Sequence, residues 1–195
     1  MSKRDPGQRM FVAVMPPASV VEDLDEFVAP RRESAAFRWT LAEQFHVTLA
    51  FLPSVPERKL DDLVERLGRA GARRASFETR IAGGGAFPNA ARSKVLFAGL
   101  DLTEDARTEL GRAATGARAA ATRAGLEADG QRFRPHVTLA RINRATDTTN
   151  WVRLLDTYAG PKFAVDRITL VASFLGEGPR NRPRYEVVEE LPLSR

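Results

Sequence analysis

His136-Val137-Thr138-Leu139-Ala140-Arg141 repeats, over its first five residues, the string His46-Val47-Thr48-Leu49-Ala50. The chain has only two histidines, and each opens one copy. In a strand, side chains alternate between faces, so His and Thr share one face while Val and Leu share the other. Both copies therefore predict half-buried strands with an apolar back and a His/Thr front. Two such fronts brought together hold two imidazoles and two hydroxyls, the skeleton of an acid–base site.

Working outward, the elements fall in a repeating order. Residues 1–8 read as a loose tail, and Met10 to Val14 as a short buried strand closed by Pro16-Pro17. Ser19 stands as an N-cap before Val20, Val21, Leu24, Phe27 and Val28 at helical spacing. Phe37–Thr40 reads as a brief strand, and Phe45–Leu52 as the first His strand, ended by Pro53 and Pro56. Leu60, Leu63, Val64 and Leu67 mark an amphipathic helix. Phe77–Ala82 and Lys94–Leu100 suggest a hairpin with Gly83-Gly84-Gly85 in a flexible connection. The Ala-rich stretch from Glu104 to Ala124 predicts a closely packed helix with Gly125 at its end. The second His strand, His136–Ile142, precedes a short helix around Trp151–Tyr158. Phe163–Phe174 and Tyr185–Leu191 complete the set as two strands joined by a Gly/Pro/Arg-rich turn.

The histidines lie 90 residues apart (136 minus 46), and a helix precedes and follows each of their strands. This pattern predicts an α+β fold: one bilobal domain over 1–195, duplicated about a pseudo-twofold axis. Mainly antiparallel sheets line a central cleft, helices lie outside, and the His strands stand beside the axis.

Composition bounds the chemistry. With no cysteine, disulfides, thiol nucleophiles and Cys-rich zinc sites are excluded, and a reducing, cytoplasmic setting fits. No apolar run approaches the roughly 20 residues that span a bilayer. The net charge of +5, carried mostly by arginine, fits a polyanionic partner and equally a general coding bias toward Arg and Ala. A zinc site needs three or four ligands, and the two strings supply two. Nucleophilic catalysis lacks a Gly-x-Ser-x-Gly elbow. Two-histidine acid–base catalysis fits best: an in-line displacement at phosphorus needs a base on the entering oxygen and an acid on the leaving one. Thr48 and Thr138 then serve the non-bridging oxygens. The residues alone leave open which ring is acid and which is base.

The sixth position separates the copies, Phe51 in one and Arg141 in the other. Strict alternation sends both to the apolar back. Either the strand ends or bulges by then and turns Arg141 to the site as a phosphate clamp, or Arg141 reaches solvent. Trp39, Phe133 and Tyr185 are candidates to stack on a base, with core packing as the alternative. Arg38, Arg132 and Arg134 flank the His strands as candidate phosphate contacts or as plain solvated charges.

Phe45–Leu52 and Arg134–Arg141 resemble the paired His-x-Thr-x motifs of the two-histidine phosphoesterases. More closely, the chain resembles the RNA 2′,3′-cyclic phosphodiesterases, also called 2′-5′ RNA ligase-like proteins, in its opening strand, Arg38-Trp39, the Pro-His start of motif two and the Tyr185 strand. The resemblance implies hydrolysis of a terminal 2′,3′-cyclic phosphate on RNA to a 2′-phosphomonoester, with no metal and no cofactor. It implies His46 as proton donor, His136 as proton acceptor, and Thr48, Thr138 and Arg141 on the phosphate. RNA ends or nucleotides carrying a cyclic phosphate are the expected partners of a monomer with no membrane contact. The alternatives are 2′-5′ RNA ligation, hydrolysis of a small cyclic nucleotide, and a non-catalytic RNA- or nucleotide-binding protein.

Overall fold

The computed structural model describes residues 7–130 and 132–194. Its elements are β1 (Gln8–Val14), α1 (Ala18–Val28), β2 (Arg38–Trp39), β3 (Val47–Val55), α2 (Leu60–Gly71), β4 (Phe77–Phe87) and β5 (Ser93–Asp101). There follow α3 (Glu104–Arg123), β6 (Val137–Thr146), α4 (Thr149–Leu155), β7 (Phe163–Val165), β8 (Arg167–Phe174) and β9 (Arg184–Pro192). The tail reading of residues 1–8 falls mostly on 1–6, outside the described residues, and Gln8 is already in β1.

The strands form one antiparallel sheet in the order β7-β4-β5-β6-β3-β1-β8-β9, with β2 pairing β6. The two His strands are neighbours at its centre, joined through Val47 and Val137. Outward from them, β5 and β4 on one side match β1 and β8 on the other. The α+β duplication is thus present in the sheet order, but neither half is a contiguous stretch of chain. β4 follows the first His strand yet pairs with β5 of the second half, and β8 follows the second yet pairs with β1. Each repeat lends its last strand to the other.

Phe163–Phe174 is two strands rather than the single one expected. Asp166 alone separates β7, which pairs β4, from β8, which pairs β1 and β9. One residue spans at most about 3.6 Å, so the two ends of the sheet must lie close together. The sheet is curled. Its helix-covered face buries Val12, Leu49, Leu139 and Leu170 against Leu24 of α1, Leu63 and Leu67 of α2, Leu110 and the alanines of α3, and Leu155 of α4. Those alanines let α3 lie close on α2, where the Cβ position of Gly116 would stand 3.5 Å from Ala70.

Three local expectations change. Helix α1 starts at Ala18 after Pro17 with no side-chain cap, so Ser19 is inside the helix; the Pro17 carbonyl accepts from Val20 and Val21 instead. Pro53 does not end β3, which runs to Val55, because it lies where the pairing with β1 shifts register and no ladder donor is required. Gly83-Gly84-Gly85 is not a connection but the middle of β4. Gly83 takes φ +69° at a register shift, and Gly84 and Gly85 lie under Leu155 and Phe97, where a side chain would collide.

Candidate active site

Each histidine immediately precedes its strand, and each is held by the same local device. His46 Nδ1–H donates to the Gln44 carbonyl at 2.7 Å, and His136 Nδ1–H donates to the Arg134 carbonyl at 2.6 Å. A carbonyl can only accept, so both Nδ1 atoms carry the proton in the neutral rings, and both Nε2 atoms carry the lone pair. The Thr48 hydroxyl lies 3.0 Å from His46 Nε2 and donates to it in that state.

Antiparallel pairing of Val47 with Val137 sets the motifs head to tail. Continuing that register by one residue puts His46 opposite Thr138 and Thr48 opposite His136. A cleft of about 720 Å³ opens there, lined by His46, Thr48, Thr138 and Arg141 together with Phe51 and Tyr185. His136 is not among the residues lining it. It stands beside the cleft, half-buried, with its ring 4.9 Å from Phe87 and 5.1 Å from Phe97.

The presence of Arg141 in the cleft has a specific cause. In β6 the register steps from Thr138 opposite Phe97 to Ala140 opposite Leu96, leaving Leu139 as an extra residue. In β3 it steps from Thr48 opposite Ala13 to Ala50 opposite Val12, leaving Leu49 extra. Both motifs carry a bulge at the same place. A bulge reverses the alternation, so the sixth residue returns to the face of His and Thr. Arg141 and Phe51 both reach the cleft for this reason.

The rings lie in unequal surroundings. Phe11 stacks on His46 at 4.6 Å with Tyr185 edge-on at 5.7 Å. Phe11, Ala13 and Val171, with Phe51 and Tyr185 packed on them, form a small apolar cluster separate from the main core. Burial pushes His46 down to about 4, against the opposing pull of the Gln44 carbonyl; the charges of His136 and Arg141 lower it further. His136 is also lowered, first by burial and then by Arg141 and Arg134, with the Arg134 carbonyl opposing. His46 thus feels the charge of His136. Both rings lie below the usual 6.5, so near neutral pH both imidazoles are uncharged in the free protein. Arg9, Arg38, Arg141 and Arg182 line the cleft, and no carboxylate does among the described residues. An anion placed there favours protonation of both rings.

Other candidates divide. Tyr185 and Arg38 line the cleft. Trp39 lines it too, while packing 5.1 Å from Trp151. Arg132 and Phe133 line a different groove, and the Arg134 guanidinium lies over Phe87 at 5.3 Å. Sequence reasoning missed Phe11, Phe87 and Phe97, whose rings are ordinary strand residues until the fold lays them on the imidazoles. It also missed Gln44, buried, which orients His46 through its carbonyl and bonds the Pro183 carbonyl through its side chain. The polar residue two before His46 was its only signal. No group of three or more His, Cys, Asp or Glu residues placed to hold a metal occurs among the described residues.

The model of the 2′-5′ RNA ligase superfamily matches residues 16–174. The RNA 2′,3′-cyclic phosphodiesterase of Geobacillus stearothermophilus is 30% identical over 94% of this chain, which spans 56% of that relative's length. The protein of the same name from Thermus thermophilus is 30% identical over 95% of this chain and 90% of its own. Among solved structures, apo LigT of Escherichia coli matches with a TM-score of 0.74 at 28% identity, covering 97% of this chain and 99% of that one. LigT complexed with 3′-AMP matches with a TM-score of 0.73.

Proposed function

Because this chain belongs to the 2′-5′ RNA ligase superfamily, we propose that it is an RNA 2′,3′-cyclic phosphodiesterase, a hydrolase using two histidines and no metal. The observation that carries this reading is the head-to-tail pairing of two His-x-Thr motifs, each with Nδ1 committed to a carbonyl and Nε2 left for chemistry. His136 takes the proton of water as its oxygen attacks phosphorus. The P–O3′ bond breaks, and His46, protonated in the complex, gives its proton to the departing 3′ oxygen. The products are a 2′-phosphomonoester and a 3′-hydroxyl. Thr48 and Thr138 donate to the non-bridging oxygens, and Arg141 balances their charge. The same geometry with a 5′-hydroxyl in place of water gives 2′-5′ ligation, the reaction for which the superfamily is named.

The chain acts as one bilobal monomer on RNA ends. No helix among the described residues is long and apolar enough to cross a membrane, and the absence of cysteine suits a reducing cytoplasm. The deciding experiment incubates the protein, with excess chelator, with an oligonucleotide ending in a 2′,3′-cyclic phosphate. Conversion to the 2′-phosphate is expected; a 3′-phosphate product, or dependence on added metal, overturns the reading.

Thr48→Val and Thr138→Val keep shape and remove the hydroxyl. A hydrogen bond to a charged group is worth about 1.5–3 kcal/mol, so each is expected to lower kcat/KM roughly 10- to 150-fold. The pH dependence follows from the shifts. With both rings below their usual value of 6.5 in the free protein, kcat/KM should peak on the acid side of pH 6.5. Bound phosphate raises both rings, so the kcat bell should lie at higher pH, and phosphate binding near pH 6 should take up protons by calorimetry. Coincident kcat and kcat/KM profiles would contradict this.

A further inference from the structure

On the helix-covered side, α2 and α3 enclose a trough of about 970 Å³ lined by nine arginines and no carboxylate. Four of them are paired to Asp62, Glu65 or Glu109 on the same helices. Among the described residues, the other five, Arg73, Arg107, Arg118, Arg123 and Arg132, make no ion pair. Five guanidiniums without a carboxylate partner thus stand around one groove. We propose that this trough is a second RNA-binding surface, holding the phosphodiester backbone of a polynucleotide whose 3′ end occupies the cleft.

Three further observations support it. The Nε of Arg118 is buried and has no hydrogen-bond partner, although buried donors are nearly always satisfied. The floor is small: Gly111 has no atom within 4 Å of its Cβ position, and Gly116 and Ala119 also line the trough, so a chain can lie between the guanidinium heads. Finally, a short run of chain links His136 to the trough. Arg132 and Phe133 line it, and Arg134, the next residue, holds His136 through its carbonyl. Phe133 and His136 are three residues apart, at most about 11 Å of chain. The proposed path of the strand runs over this segment, from the cleft to the trough.

RNA fits better than the other polyanions. Guanidinium forks match phosphate oxygens bidentately. A concave trough suits a single strand rather than a flat membrane surface, and Phe133 offers a ring for a base. The placement of the 3′ end rests on the phosphodiesterase reading; the binding itself does not. The surface makes chain length a determinant of affinity, so a polynucleotide is the preferred substrate over a mononucleotide.

The test uses the full chain with Arg73, Arg107 and Arg123 all changed to Gln. The probe is a fluorescent single-stranded RNA of about 12 nucleotides with an unreactive 3′-hydroxyl. The triple variant should bind it at least ~10-fold more weakly at ~50 mM salt. The slope of log affinity against log salt should become shallower by about 2, since each lost single-strand contact contributes about 0.7. Turnover of a 2′,3′-cyclic mononucleotide should stay within about twofold of the unaltered protein. Should the triple variant fail to fold, Arg107→Gln alone should flatten the slope by about 0.7. Unchanged RNA affinity and slope overturn the proposal. So does loss of binding to anionic vesicles or polyglutamate with RNA binding intact, or an equal loss of mononucleotide turnover. If no cyclic phosphate is hydrolysed by either protein while the variant still binds RNA weakly, the phosphodiesterase reading fails and the trough stands.

Discussion

His46→Ala and His136→Ala are each expected to lower kcat on a cyclic-phosphate-ended RNA by roughly 10²–10⁴, the usual contribution of a positioned general acid or base. Binding of the 3′-hydroxyl RNA should change little, because the arginines and threonines that meet the backbone remain. The double variant should lose little more than the worse single one, since proton removal and delivery serve one displacement and their effects do not add. Circular dichroism must show the native fold, as removing His46 takes a stacking partner from Phe11. Wild-type rates in both variants would mean that neither imidazole moves a proton in the rate-limiting step, and the acid–base assignment would fall. Loss in only one would mean that a group other than the second imidazole moves the other proton.

The second large effect concerns the glycines of β4. A Cβ on Gly84 would stand 2.4 Å from the Cβ of Leu155, a fully buried residue of α4. Gly84→Val must therefore push α4 off the sheet, and overpacking of this kind costs about 1–3 kcal/mol or more. At about 2–4 °C per kcal/mol for a chain of this size, Tm should fall by roughly 2–12 °C. Gly111→Ala is the control: it lies in α3 with open space around it and should raise Tm slightly by restricting the unfolded chain. At Gly85 the collision is with the Phe97 ring, at 2.4 Å, and that ring packs on His136. Gly85→Ala should thus disturb turnover as well as stability. Equal melting temperatures for Gly84→Val and the unaltered protein would show that the close approach is not a constraint.

These glycines show where local reading stops. Three in a row signal flexibility to any argument from backbone freedom. Here Gly84 and Gly85 are a contact surface, because what decides their meaning is Leu155 and Phe97, distant in sequence. Phe163–Phe174 shows the same limit: its composition reads as one strand, and only the curl of the sheet demands a break at Asp166. The repeat, by contrast, was legible from two histidines in two identical strings. A local pattern that occurs twice carries information about symmetry that no single copy holds.

By itself, then, the amino-acid order determined the α+β class, the repeat that sets His46 and Thr48 against His136 and Thr138 as candidates, and the family resemblance. These depend on side-chain alternation and on repetition, both of which are properties of short stretches. Tertiary structure alone decided that the repeats exchange their outer strands, that paired bulges at Leu49 and Leu139 turn Phe51 and Arg141 toward the cleft, and that aromatic rings from β1, β4 and β5 desolvate the imidazoles. Each of these depends on which strands become neighbours. Strand pairing is settled by packing the whole sheet against its helices, a competition among distant segments that no short stretch encodes.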